Sequence, residues 1–221
     1  MSRVVLVGGA DQGRQTIDVL AAAGVHRVVA VLDPGIPSGT AVSGHPVVDP
    51  DDLDALGADG FVVAIGDNAT RAAATARVRS AYPGLELVSA VHPAAVVARD
   101  AVVGAGTTLM AGAVIGNGCV VGEGALLGTH ASIDHDNTMG EYASLAPGAT
   151  TGGAVVLGPM AAVGLGASVI HGVTIGAHTV IGAGAVVLRD VPDHVVAFGV
   201  PARVIRSRAE GEAYLGGPRR P

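Results

Sequence analysis

Beginning at Val97 and advancing six residues at a time, the chain presents Val97, Val103, Leu109, Ile115, Val121, Leu127, Ile133, Met139, Leu145, Thr151, Leu157, Val163, Val169, Ile175, Ile181 and Val187. Fifteen of these sixteen positions are aliphatic, and Thr151 is the exception. Glycine follows ten of them, and a small or slim residue such as Ala101, Ala113, Cys119 or Ala125 stands four steps after the aliphatic one. No insertion breaks the count. A period of six fits neither the 3.6 of a helix nor the alternation of an ordinary strand, but it suits a parallel β-helix with one short strand and one tight corner per hexapeptide. Three hexapeptides then make one triangular coil, residues eighteen apart stack at about 4.8 Å, and residues 97–187 supply about five coils. Polar residues recur in every hexapeptide, which argues against a membrane or amyloid-like segment.

The first ninety residues follow a different pattern. "RVVLVGGADQGRQTIDVLAAAG" predicts an apolar strand, a glycine turn and a helix, "RVVAVLD" a second strand, and "FVVAIGDNATRAAATARVRSAY" a repeat of the strand-turn-helix plan. This is a small α/β unit with a parallel sheet, Rossmann-like in plan. Its turn carries Gly8, Gly9 and Gly13 at the start of a helix, where backbone amides suit either a phosphate cradle or plain helix capping. It departs from G-x-G-x-x-G, because Ala10 stands where the second glycine belongs. Asp33 ends the second strand where such folds place an acidic side chain against a ribose or base. Asp67, at the end of the "AIG" strand, is equally suited to capping the next helix. The expected organisation is an α/β domain over 1–90, a β-helix over 91–200 and a C-terminal tail over 201–221.

Composition narrows the picture. The 221 residues are 49% hydrophobic but 2% aromatic, with 34 glycines and no Trp, so the core is built from Val, Ile, Leu and Ala, as a narrow regular interior requires. The net charge of −6 leaves no basic footprint for nucleic acid apart from the short tail "PRRP". There is no signal-peptide pattern and no apolar stretch of membrane-spanning length, so the expectation is a cytoplasmic protein without membrane association. The single Cys119 excludes an intrachain disulfide and reads as a buried filler.

The repeats "VIGNGC VVGEGA LLGTHA" resemble those of the hexapeptide-repeat acyltransferases, whose β-helix is left-handed and trimeric. With "GGADQG", "VLDP", "AIGDN", "HPAAVV" and "AFGVPARVIR" added, residues 3 to about 206 resemble the bacillosamine/perosamine acetyltransferases and sialic-acid O-acetyltransferase-like enzymes. The resemblance implies transfer of acetyl from acetyl-CoA to the amino group of a nucleotide-linked amino sugar, by direct attack, in a homotrimer without metal. It places the nucleotide sugar at Ala10, Asp11, Gln12, Gly13, Asp33, Pro34, Gly66, Asp67 and Asn68. Gln12 replaces a histidine common in that family. Within "DHD" it makes His135 the general base and Asp136 the residue that orients its ring, a role open to Asp134 on the residue types alone. It puts the acetyl-CoA contacts at Ser144, Gly153, Leu165 and Ala183, with Ser144 standing where the family carries a second histidine, so that extra volume is expected beside the thioester. Alternatives are O-acetylation of a sugar hydroxyl, a non-catalytic scaffold, and a γ-carbonic-anhydrase-like metalloenzyme using His130 and His135, for which the third ligand position is Ala94.

Overall fold

The aliphatic residue of each hexapeptide takes the second place of a two-residue strand, as in Thr108–Leu109, Leu126–Leu127 and Ser144–Leu145, where its side chain points inward. In the computed structural model, which describes residues 1–215 apart from the side chain of Asp54, these strands stack in parallel into a left-handed β-helix of about six turns. Leu126 pairs with Ser144 and Ser144 with Ala162, one eighteen-residue coil at a time. The three faces of the prism begin at Ala90–Val91, Val96–Val97 and Val102–Val103. The interior is a continuous column in which Leu109, Leu127, Leu145 and Ile181 have no solvent exposure, with Ala125, Ala143 and Cys119 in the small slots between them.

The helix is about one turn longer than the six-residue count implies. At the start, Ala90–Val91 pairs with Thr108–Leu109. At the end, Ile181 pairs with Ala197 only sixteen residues later, so the last coil is two residues short and falls out of the period. An antiparallel strand, Arg203–Ser207, then covers the open edge of the first face. The basic tail at 218–221 lies outside the described residues. Among the described residues no helix is long and apolar enough to cross a membrane.

The N-terminal unit is a four-stranded parallel sheet in the order β2 (His26–Leu32), β1 (Ser2–Val7), Gly60–Val63 and Glu86–Leu87. The chain leaves β1 for α1 (Asp11–Ala23) and leaves Gly60–Val63 for α2 (Asn68–Ala81). The loops 8–13 and 65–68 therefore flank the point where strand order reverses, which is where open α/β sheets bind ligands.

One buried cation fastens this unit to the solenoid. Arg71 in α2 donates to the carbonyls of Ile65 and Gly66 in its own unit and to those of Gly124 and Tyr142 on the β-helix, and its last donor meets Asn68 Oδ1. Asn68 in turn donates to the carbonyls of Met160 and Ala161. Burial pulls the Arg71 guanidinium down to about 10, yet every N–H finds an acceptor, which is the condition for a buried charge to persist. Arg79 adds a two-point ion pair with Glu123 at 2.6 and 2.7 Å.

The exception in the aliphatic column has a partner. Thr151 is 6% exposed, and its hydroxyl donates over 3.1 Å to Oδ1 of Asn137, which occupies a small-residue slot at 1% exposure. Thr151→Val would restore the aliphatic pattern while leaving that amide oxygen buried and unpaired. The expected result is a loss of about 1–3 kcal/mol of stability in chemical denaturation, whereas an inert filler would show none or a gain.

Candidate active site

The residues singled out above on the β-helix fall into two groups on opposite sides of the prism. The first lies at the corner between the second and third faces, where the strands Ser132–Ile133 and Thr138–Met139 are joined by Asp134, His135, Asp136 and Asn137. His135 Nδ1–H donates to Asp136 Oδ2 at 2.8 Å, which leaves Nε2 with a free lone pair. Asp134 is occupied differently: its carboxylate accepts the backbone N–H of His135, also at 2.8 Å. Of the two flanking aspartates, Asp136 holds the ring. Its hydrogen bond, aided by the charge of Asp134, raises the imidazole above its ordinary pKa.

The backbone beneath this corner is held from inside the core. Asn137 Nδ2 reaches the carbonyls of Asp134, His135 and Gly152 at 2.8, 3.1 and 2.9 Å. Cys119 Sγ–H donates to the Asp134 carbonyl as well, and burial pushes its thiol up, as suits a filler. One coil further along the chain, Gly153 packs against the imidazole. A Cβ there would run into Nε2 and Cε1 of His135, so only glycine lets the ring lie across this position. The Gly153 N–H has no acceptor among the described residues. Asn137 and Thr151 were missed by the sequence reading, although the single break in the aliphatic period marked one of them.

The second group lines a cavity of about 460 Å³ between the first face and the N-terminal unit. Ser144, Ala162 and Val180 occupy the outward strand position of three successive coils, and Leu165 and Ala183 flank them at the next corner. Gln12 and Gly66 close the side towards the α/β unit, and Phe198 packs against Gly182. The walls are predominantly apolar. Ser144 is 6% exposed, because its hydroxyl is 3.0 Å from that of Tyr214, brought in by the C-terminal segment. Tyr214 thus reaches into the space expected beside Ser144, its hydroxyl against the serine Oγ.

The remaining nucleotide-sugar candidates surround the switch point. Ala10 gives α1 no side-chain cap, and Gly13 is packed so tightly that a Cβ would meet the carbonyl oxygen of Gly8. Asp33 accepts from the backbone N–H groups of Gly9 and Gly35 at 2.7 and 2.8 Å, tying the end of β2 to the glycine turn, while Ala10, Asp11 and Pro34 are exposed around it. Asp67 caps α2 by accepting from the Thr70 N–H and hydroxyl. Asn68 is spent on the docking contacts already described. His130 and His135 lie at different corners, and no group of three His, Cys, Asp or Glu side chains among the described residues is placed to hold a metal ion.

Comparison with known proteins agrees with both halves of the architecture. Residues 3–78 match the PglD N-terminal domain, and residues 94–129 match the bacterial transferase hexapeptide (six repeats). No curated protein matches the chain. Among solved structures, PerB from Caulobacter crescentus in complex with CoA and GDP-perosamine is 40% identical, with a TM-score of 0.87 over 93% of this chain and 98% of that one. A variant of the GDP-perosamine N-acetyl transferase from the same organism, also with CoA and GDP-perosamine, is 39% identical over 94% and 98%, with a TM-score of 0.88. The acetyltransferase domain of PglB from Neisseria gonorrhoeae FA1090, in complex with acetyl coenzyme A, is 29% identical over 92% and 99%, with a TM-score of 0.85. Forty per cent identity over nearly the full length of both chains establishes that this protein belongs to the hexapeptide-repeat, acetyl-CoA-dependent sugar N-acetyltransferases.

Proposed function

We propose that the protein is a cytoplasmic homotrimer that acetylates the amino group of a nucleotide-linked amino sugar, with His135 as general base and Asp136 as its partner. The observation that carries this reading is the His135 geometry: Nδ1 is committed to Asp136, Nε2 is free, and the ring rests on a glycine whose N–H is unused. A neutral imidazole in this tautomer accepts a proton at Nε2, and the carboxylate stabilises the imidazolium that results. His135 takes the proton from the sugar amine as its nitrogen bonds to the acyl carbon, and passes it to the departing sulfur as the C–S bond breaks. The Gly153 N–H is suited to hold the carbonyl oxygen as negative charge develops there. No covalent enzyme intermediate is needed, and the only cysteine is sealed in the core with a raised pKa.

The apolar groove along Ser144, Leu165 and Ala183 suits a pantetheine arm, and the cavity continues to Gln12 and Gly66 at the switch point, where a nucleotide sugar would enter. Nine residues separate His135 from Ser144, half of an eighteen-residue coil, so one chain keeps base and groove on opposite sides. A neighbouring copy has to bring its His135 corner to this groove, which is the reason for the trimer. The exposed valines Val102, Val120 and Val156, in line on the third face, supply apolar surface for such packing.

Steady-state assay of CoA release against a panel of UDP-, GDP- and dTDP-linked amino sugars tests the reading. His135→Ala is expected to lower kcat by roughly 10²- to 10⁴-fold with the oligomer unchanged in sedimentation, and near-normal turnover would remove His135 from the mechanism. A second test uses pH. Because Asp136 holds the His135 pKa above its ordinary value and only the neutral ring is active, activity rises as pH climbs through that raised value. Asp136→Asn releases the ring towards its ordinary pKa, so the acid limb moves to lower pH while the maximal rate falls; an unmoved limb would contradict the pairing.

A further inference from the structure

The segment after the last strand returns to the cavity and is held there by its own contacts. Arg208 is buried at 7% exposure. Its guanidinium donates to the carbonyls of His178 and Glu212, and its backbone N–H donates to the carbonyl of His194 at 2.7 Å. Arg206 pairs with Glu212 at 2.7 Å, and Glu212 also accepts the N–H of Ala209. This closed turn presents Tyr214, whose ring centroid lies 5.6 Å from the Arg208 guanidinium carbon. The Tyr214 hydroxyl is 3.0 Å from Ser144 Oγ, 2.9 Å from Asn68 Oδ1 and 3.4 Å from the Gly66 carbonyl. Asn68 Oδ1 and the Gly66 carbonyl only accept, so the single Tyr214 proton points to them and Ser144 donates to the phenol oxygen. The ring therefore stands where the groove of the first face meets the N-terminal unit, and Leu215 packs beside it against Gly66.

We propose that Tyr214 sets the acyl specificity of the enzyme: its ring walls the end of the groove beside Ser144 and limits the transferred group to acetyl. The proposal rests on the reading of this groove as the acyl-CoA site. A serine at position 144 alone would leave room for a longer chain, and the strap supplies the missing wall from seventy residues downstream in the same chain. On this placement the ring borders the end of the groove that would hold the acyl group, beyond Leu165 and Ala183, which would line the pantetheine arm. Enlarging the space should therefore change the choice between donors, an effect separable from any change in affinity for the CoA that both donors share.

The test compares wild type, Tyr214→Phe and Tyr214→Ala, using the full chain. CoA affinity is measured by calorimetry, and kcat/KM for acetyl-CoA and propionyl-CoA is measured with the amino sugar nucleotides of the panel above. In Tyr214→Ala the propionyl-to-acetyl ratio is expected to rise about 10-fold or more, the usual consequence of admitting one methylene, and any change in the Kd for CoA is common to both donors and cancels in that ratio. In Tyr214→Phe, which keeps the wall and loses only the hydroxyl, the ratio should stay within about 2-fold of wild type. A merely structural strap would shift both donors in proportion, and an unchanged ratio in Tyr214→Ala overturns the proposal. Should the wild type bind no CoA or transfer no acyl group, the reading of the groove falls, and this proposal with it.

Discussion

The eighteen-residue register of the coil is the constraint on which everything else depends. It is imposed by the backbone ladder between coils, in which Ser144 N–H donates to the Ala161 carbonyl and Gly152 N–H to that of Val169, both at 2.8 Å, and by an interior that admits one aliphatic and one small side chain per hexapeptide. With no slack in the count, position along the chain converts directly into position around the prism. Residues a full coil apart stack, as His135 does over Gly153. Residues half a coil apart face away from each other, as His135 and Ser144 do. The distribution of chemistry around the solenoid follows, and so does the requirement for a second copy in any site that uses both.

Polar side chains inside such a column are costly unless every donor and acceptor is matched, so the few that occur mark places where the backbone has to be held. Asn137 and Thr151 satisfy each other and three surrounding carbonyls, and what they hold is the turn that carries His135. Arg71 and Asn68 do the corresponding work between the α/β unit and the helix, using carbonyls in place of a counter-ion. Asn68 links the two systems, since its Oδ1 also receives Tyr214. The docking interface and the wall of the groove thus share one side chain, and changes at either are expected to couple.

The solenoid was legible in the sequence because its signal is local and repeated, and the count failed only where the last coil loses two residues. The His135–Asp136 pair was legible through its resemblance to known motifs, and the geometry then distinguished Asp136 from Asp134, which residue types alone could not do. Asp67 caps α2, one of the two roles its position suggested, whereas local spacing does not reveal that Asp33 staples the glycine turn. Tyr214 was illegible for a different reason. Its contact with Ser144 spans seventy residues, and nothing periodic connects the tail to the groove. The same holds for Arg71, whose acceptors on the β-helix are backbone carbonyls and leave no trace in residue identity.

In the proposed trimer, base and groove come from different copies of the chain. The most direct measurement is complementation between His135→Ala, which lacks the base, and Ala183→Trp, which plugs the groove while leaving His135 intact. Each homotrimer should be nearly inactive. In trimers assembled from an equal mixture, a site is competent when its base comes from the groove-blocked chain and its groove from the base-deficient one, so about a quarter of wild-type activity should return. Activity no greater than the sum of the two parents would contradict an active site shared between subunits.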